Sequence, residues 1–96
     1  MEDKNRIIKF IKLVEGMFYE EFPFSTIEHI ENEEKQYVMF KAVLIYKGNV
    51  CRCAYHVIYS DIYDTVLSLE EIANFTVNGL GRRMLDIIKE IQSEEE

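Results

Sequence analysis

Residues 37–60 read YVMFKAVLIYKGNVCRCAYHVIYS, and this stretch decides the fold. Two apolar-rich runs, Tyr37–Lys47 and Val50–Ser60, flank Gly48-Asn49. A Gly-Asn pair between alternating runs predicts a two-residue hairpin turn, and so short a turn fixes which residues oppose each other. With the turn there, Lys47 opposes Val50, Tyr46 opposes Cys51, Leu44 opposes Cys53, Lys41 opposes His56 and Val38 opposes Tyr59. One face collects Val38, Phe40, Ala42, Leu44 and Tyr46 with Cys51, Cys53, Tyr55, Val57 and Tyr59, which is a core. The other collects Tyr37, Met39, Lys41, Val43 and Ile45 with Val50, Arg52, Ala54, His56, Ile58 and Ser60. That second face is too apolar for idle solvent surface and too polar for a plain core.

Outward from the hairpin, residues 25–31 predict a third strand. A loop at Asn32-Glu33-Glu34-Lys35 sets Ile27 opposite Phe40 and His29 opposite Val38, which buries fewer charges than a one-residue shift. Upstream, Ile7, Ile11, Val14 and Phe18 recur at helical spacing, widened by Ile8, Phe10 and Met17. This first helix is expected from an N-cap at Asp3 to Tyr19, stopped by Phe22-Pro23-Phe24. Downstream, Asp61–Thr65 reads as a polar connection. Ser68-Leu69-Glu70-Glu71 has capping-box spacing and starts a short helix to about Phe75. Asn78-Gly79-Leu80-Gly81 is expected to break it, and Leu80, Met84, Ile87, Ile88 and Ile91 form a last helix. The order is α-β-β-β-α-α: an α+β fold, a three-stranded antiparallel meander with helices packed on one face.

The 96 residues fit one domain, 1–96, with an acidic tail from about Ser93. The 48% hydrophobic and 30% charged content is that of a folded chain. No apolar run reaches the roughly 18 residues that span a bilayer, and the charged start predicts no secretory leader and no membrane partner. Cys51 and Cys53 point the same way along one strand, a poor disulfide geometry, so reduced thiols and a cytoplasmic location are expected. Net charge is −7, and between Leu13 and Glu34 there are seven glutamates with no Lys or Arg. Lys4, Arg6, Lys9 and Lys12 make the first helix locally basic, but the overall sign argues against nucleic-acid binding.

The chemistry-bearing residues form several groups. Cys51 and Cys53 with His56 and His29 are the metal ligands to weigh. A zinc site wants four converging ligands from closely spaced pairs, and a strand sends His56 to the opposite face, so buried thiols and no metal are expected. The same burial leaves no nucleophile, and no catalytic residue or cofactor is assigned. Asp61 and Asp64 read as turn residues, and Glu70 and Glu71 complement a helix dipole. Lys41, Arg52 and His56 could jointly receive a carboxylate or phosphate.

Gly79, Gly81, Arg82 and Arg83, at the predicted helix start, are candidate anion ligands. Residues 71–85 resemble the coenzyme A pyrophosphate loop of GNAT acetyltransferases, with Gly79 and Gly81 at its glycines and Thr76 where that family has Arg or Gln. The resemblance implies acyl-CoA binding at Gly79, Gly81 and Arg82, and the alternative function is a small-ligand (nucleotide or acyl-CoA) binding protein or a degenerate acetyltransferase-like enzyme using the Gly79–Arg83 helix start. The element order also resembles a double-stranded-RNA-binding domain, with Arg82-Arg83 where that family has a lysine pair.

The function expected is non-enzymatic protein binding, inhibitory toward a partner with a basic or nucleic-acid-binding surface. Its sheet-face site is Tyr37, Met39, Lys41, Val43, Ile45, Arg52, His56 and Ile58, an apolar centre with a polar rim. Its acidic site is Glu20, Glu21, Glu28, Glu31, Glu33 and Glu34. Phage anti-CRISPR proteins and bacterial immunity proteins are similar in size and charge. A homodimer formed through the mixed sheet face is the structural alternative.

Overall fold

A computed structural model describes residues 2–63 and 66–95, excluding the side chains of Glu2, Asp3 and Glu95. Asp64, Thr65 and the Asp3 cap therefore lie outside the described residues. Among those described, the order is α1 (Glu2–Glu21), β1 (Thr26–Asn32), β2 (Tyr37–Tyr46), β3 (Asn49–Ile58), α2 (Tyr59–Ile62) and α3 (Leu69–Glu95). The strands form one antiparallel sheet in the order β1-β2-β3. The α+β class and the α-β-β-β-α-α order are thus as the sequence predicts.

The faces also agree, but both registers differ by two residues. Leu44 opposes Cys51, Ala42 opposes Cys53 and Val38 opposes Val57. Ile27 opposes Ala42 and His29 opposes Phe40. The cause lies in the turns. The hairpin closes through Lys47-Gly48, with φ of 50° and 81°. A two-residue turn with both central residues left-handed is type I′, and Gly suits its second position. The β1–β2 turn spans residues 33–36, with Gln36 at φ 56°. It starts where the Lys35 N–H donates to Asn32 Oδ1 at 2.9 Å. Each turn sits one residue from its predicted place, which moves the pairing by two and leaves every side chain on its expected face.

The helices pack on the core face. From α1, Ile7, Phe10, Ile11, Val14 and Phe18 are buried against Ile27, Val38, Phe40, Ala42, Cys51 and Val57. Phe10 meets Phe40 edge-on, ring centroids 5.9 Å apart. Pro23 ends α1, and the Ser25 hydroxyl donates to the Phe22 carbonyl at 2.6 Å, fixing the turn into β1.

Strand β3 stops at Ile58 rather than Ser60, because Tyr59 enters the single turn of α2 and buries its ring there. The Tyr59 N–H donates to the Gln36 carbonyl at 2.9 Å, and Arg6 Nε donates to the Ile62 carbonyl at 2.6 Å. These bonds tie α2 to the β1–β2 turn and to α1.

The predicted Ser68 cap is present: Glu71 N–H donates to Ser68 Oγ at 3.2 Å. The predicted break after it is absent. α3 runs unbroken for 27 residues, and Ser93, Glu94 and Glu95 continue it. Its glycines serve close approach instead. A Cβ on Gly79 would lie 2.5 Å from the Tyr55 ring, and one on Gly81 would lie 3.5 Å from Phe22. Without side chains there, α3 settles directly on β3 and on the end of α1.

Candidate functional site

Strand alternation that buries one face of the sheet leaves the other outward, and among the described residues no helix lies over it. Its residues form cross-strand rows. Asn32, Tyr37 and Ile58 make the first, then Ile30, Met39 and His56, then Glu28, Lys41 and Ala54, then Thr26, Val43 and Arg52, and last Ile45 with Val50. Four large apolar side chains here are well exposed: Ile45 at 68%, Val50 at 54%, Ile58 at 51% and Ile30 at 44%. They stand in two groups, at the two ends of the face. Between them runs a polar belt of Glu28, Lys41 and Arg52.

The belt surrounds a shallow depression of about 370 Å³, lined by Lys41, Ala42, Val43, Arg52, Cys53 and Ala54. It exists because Ala54 is small among long neighbours. At the other end the Tyr37 and His56 rings lie 5.1 Å apart, and Asn32 Nδ2 donates to the Tyr37 hydroxyl at 3.4 Å.

All eight predicted sheet-face residues stand on this surface. The predicted cluster of Lys41, Arg52 and His56 is rearranged, because Lys41 opposes Ala54 and His56 opposes Met39. Lys41 and Arg52 flank the hollow together, one row apart. Ile30 and Glu28 also stand here, though the sequence reading places Glu28 on the acidic surface and leaves Ile30 out; the alternation Thr26, Glu28, Ile30 is the signal for both.

The predicted acidic surface divides. Glu31, Glu33 and Glu34 lie at the end of β1 and in its turn, with Glu28 one step away on the open face. Glu20 and Glu21 end α1 at the opposite end of β1, roughly 20 Å away for a seven-residue strand. Exposed Glu21 reaches toward α3, with Oε2 3.5 Å from where a Gly81 Cβ would stand. Glu33 meets Lys4 at 3.7 Å, and Glu15 meets His29 at 3.5 Å.

The proposed anion ligands Gly79, Gly81, Arg82 and Arg83 stand in the interior of α3, so no helix start presents free N–H groups there. Arg83 instead donates through Nη1 to the Ala54 carbonyl, with its guanidinium 5.1 Å from the centre of the Tyr55 ring. Arg82 is exposed beside Glu21 and Asn78. Thr76 is buried and its hydroxyl donates to the Ile72 carbonyl at 3.0 Å, an internal helix bond.

Cys51 is buried and Cys53 half-buried, both as free thiols. Burial pushes the Cys53 thiol pKa up, with nearby Arg83 opposing. Its Sγ donates to the Leu80 carbonyl at 3.6 Å. Among the described residues no three His, Cys, Asp or Glu side chains converge as metal ligands, and no helix is long and apolar enough to cross a membrane. No protein-family model, curated protein or solved structure matches this chain.

Proposed function

We propose that this chain is a non-enzymatic protein-binding module whose docking surface is the open face of the sheet. One observation carries this reading. Ile30, Ile45, Val50 and Ile58 are exposed on one sheet face on either side of a charged belt, and no helix among the described residues folds over them. Exposed apolar patches of this kind are surfaces that protein interfaces cover, though here the polar residues run between the apolar groups and not around them as the sequence predicts. The acidic end of β1 and its turn, Glu31, Glu33 and Glu34, stands beside the face. Its charge favours encounter with a partner carrying a basic surface. Inhibition would then be steric, by carboxylates occupying a groove that otherwise receives nucleic acid.

The test is quantitative capture from lysate by wild type and two variants. Ile45→Glu/Val50→Glu alters the face; Glu31→Lys/Glu33→Lys/Glu34→Lys reverses the margin. Proteins held by wild type should be lost with the face variant and held more weakly, with reduced salt dependence, by the margin variant. Equal capture by wild type and the face variant overturns the docking surface.

A further inference from the structure

The rows of the open face are complementary to themselves, and we infer that the surface pairs with a second copy of this chain. The inference rests on the docking role proposed for that face, names a second copy as what covers it, and leaves the basic-surfaced partner to the Glu31, Glu33 and Glu34 margins.

Charge decides between the ways two such faces stack. A two-fold axis across the strands lays β1 on β1 of the second copy. It sets Glu28 directly on Glu28, so like charges meet. An axis parallel to the strands lays β1 over β3 of the second copy and keeps each row in register. Glu28 shares a row with Lys41 and Ala54. It therefore lands over the second copy's Ala54, in the hollow that Lys41 and Arg52 flank. The carboxylate enters the depression between Lys41 and Arg52, and the two-fold makes the same contact twice.

The same axis lays each β2 residue on its own copy: Met39 on Met39, Val43 on Val43, Ile45 on Ile45, and Lys41 on Lys41 with a Glu28 carboxylate on either side of the lysine pair. Ile58 falls beside the second copy's Asn32 and Ile30 beside its His56. The most exposed of the apolar residues, Ile45, thus gains an apolar partner. Nearly aligned strands are the usual geometry of two stacked sheets, with a core about 10 Å thick. Three strands and five rows cover roughly 500 Å² per copy at usual sheet spacings. The pair then buries about 1,000 Å², the lower bound for a specific interface. The Glu31, Glu33 and Glu34 margins stay outside the pair, one on each flank.

Sedimentation equilibrium of the full chain tests the pairing, with circular dichroism confirming that each variant is folded. Wild type should associate to a dimer in the micromolar range. Glu28→Lys sets lysine on Lys41 and Arg52 of the second copy and should weaken association roughly tenfold or more. Adding Arg52→Glu to that variant should restore most of it, because the attraction is re-formed with its signs exchanged. Ile45→Glu should give a monomer. A wild type monomeric at several hundred micromolar overturns the pairing, as does a dimer indifferent to Glu28→Lys. Neither result touches the docking role, which fails separately if captured proteins survive Ile45→Glu/Val50→Glu.

Discussion

The two faces of this sheet are made by the same strands and carry similar apolar content, yet they meet different surroundings. On one, Val38, Phe40, Ala42 and Cys51 are closed off from water by α1 and α3. On the other, Ile45, Val50 and Ile58 keep half or more of their surface. Two alanines show the contrast: Ala42 is fully buried on the core face, while Ala54, on the open face, is only partly covered. Apolar content does not separate a core from an interface here. The helices do, and they are placed by what α3 can sit on.

The largest effect expected on this contrast is at Phe40. Truncation to Ala removes a fully buried ring and its edge contact with Phe10, and should cost about 3–5 kcal/mol in urea unfolding. A loss near that of an exposed site would mean the covered face is not the core. The next is a matter of sign. An Ala in place of Gly normally stabilises a helix interior by about 1 kcal/mol, and Gly16→Ala, with open space around it, should do so. Gly79→Ala should instead destabilise by about 1–2 kcal/mol, because the new methyl overlaps the Tyr55 ring. A stabilised Gly79→Ala would show that α3 does not rest on Tyr55.

Alkaline pH gives a smaller contrast. Burial raises the Cys53 thiol pKa; burial first, then the Glu31 and Glu33 carboxylates, raise that of the Tyr59 phenol. Their contribution to stability is complete below the pH where the unfolded groups ionise. It is lost as pH rises through the higher folded values. Melting temperature should therefore fall between pH 8 and pH 10.5, and a constant value across that range would refute the burial of both groups. The smallest effect belongs to the open face. Ile45→Glu should change unfolding free energy by no more than about 0.5 kcal/mol while abolishing association. A large destabilisation there would make the open face part of the fold.

The face assignment was legible in the sequence because a strand alternates with a period of two. Sliding either turn by one residue moves the pairing by two, and Leu44 still points inward whether it meets Cys53 or Cys51. Register was not legible for the same reason: nothing in the alternation separates Gly48-Asn49 from Lys47-Gly48. The glycines of α3 misled for a different cause. Gly79 and Gly81 weaken a helix in isolation, and only a tertiary neighbour, Tyr55 or Phe22, reveals a gain from their missing side chains. The acidic stretch misled because neighbours in sequence are not neighbours in space. Glu21 and Glu33 are twelve residues apart on a chain that turns and then crosses the length of β1 between them.

Arg83 has one more consequence. By holding the Ala54 carbonyl it occupies part of the outer rim of β3. The far rim, along β1, shows no such latch among the described residues, and carries the exposed carboxylates of Glu28 and Glu31. Unpaired strand rims are where sheets recruit further chains, and charge is one of the common deterrents. The molecule guards its two rims by different means, one by a bond and one by repulsion. Only the second weakens with salt, so fibre growth under high salt would begin at β1.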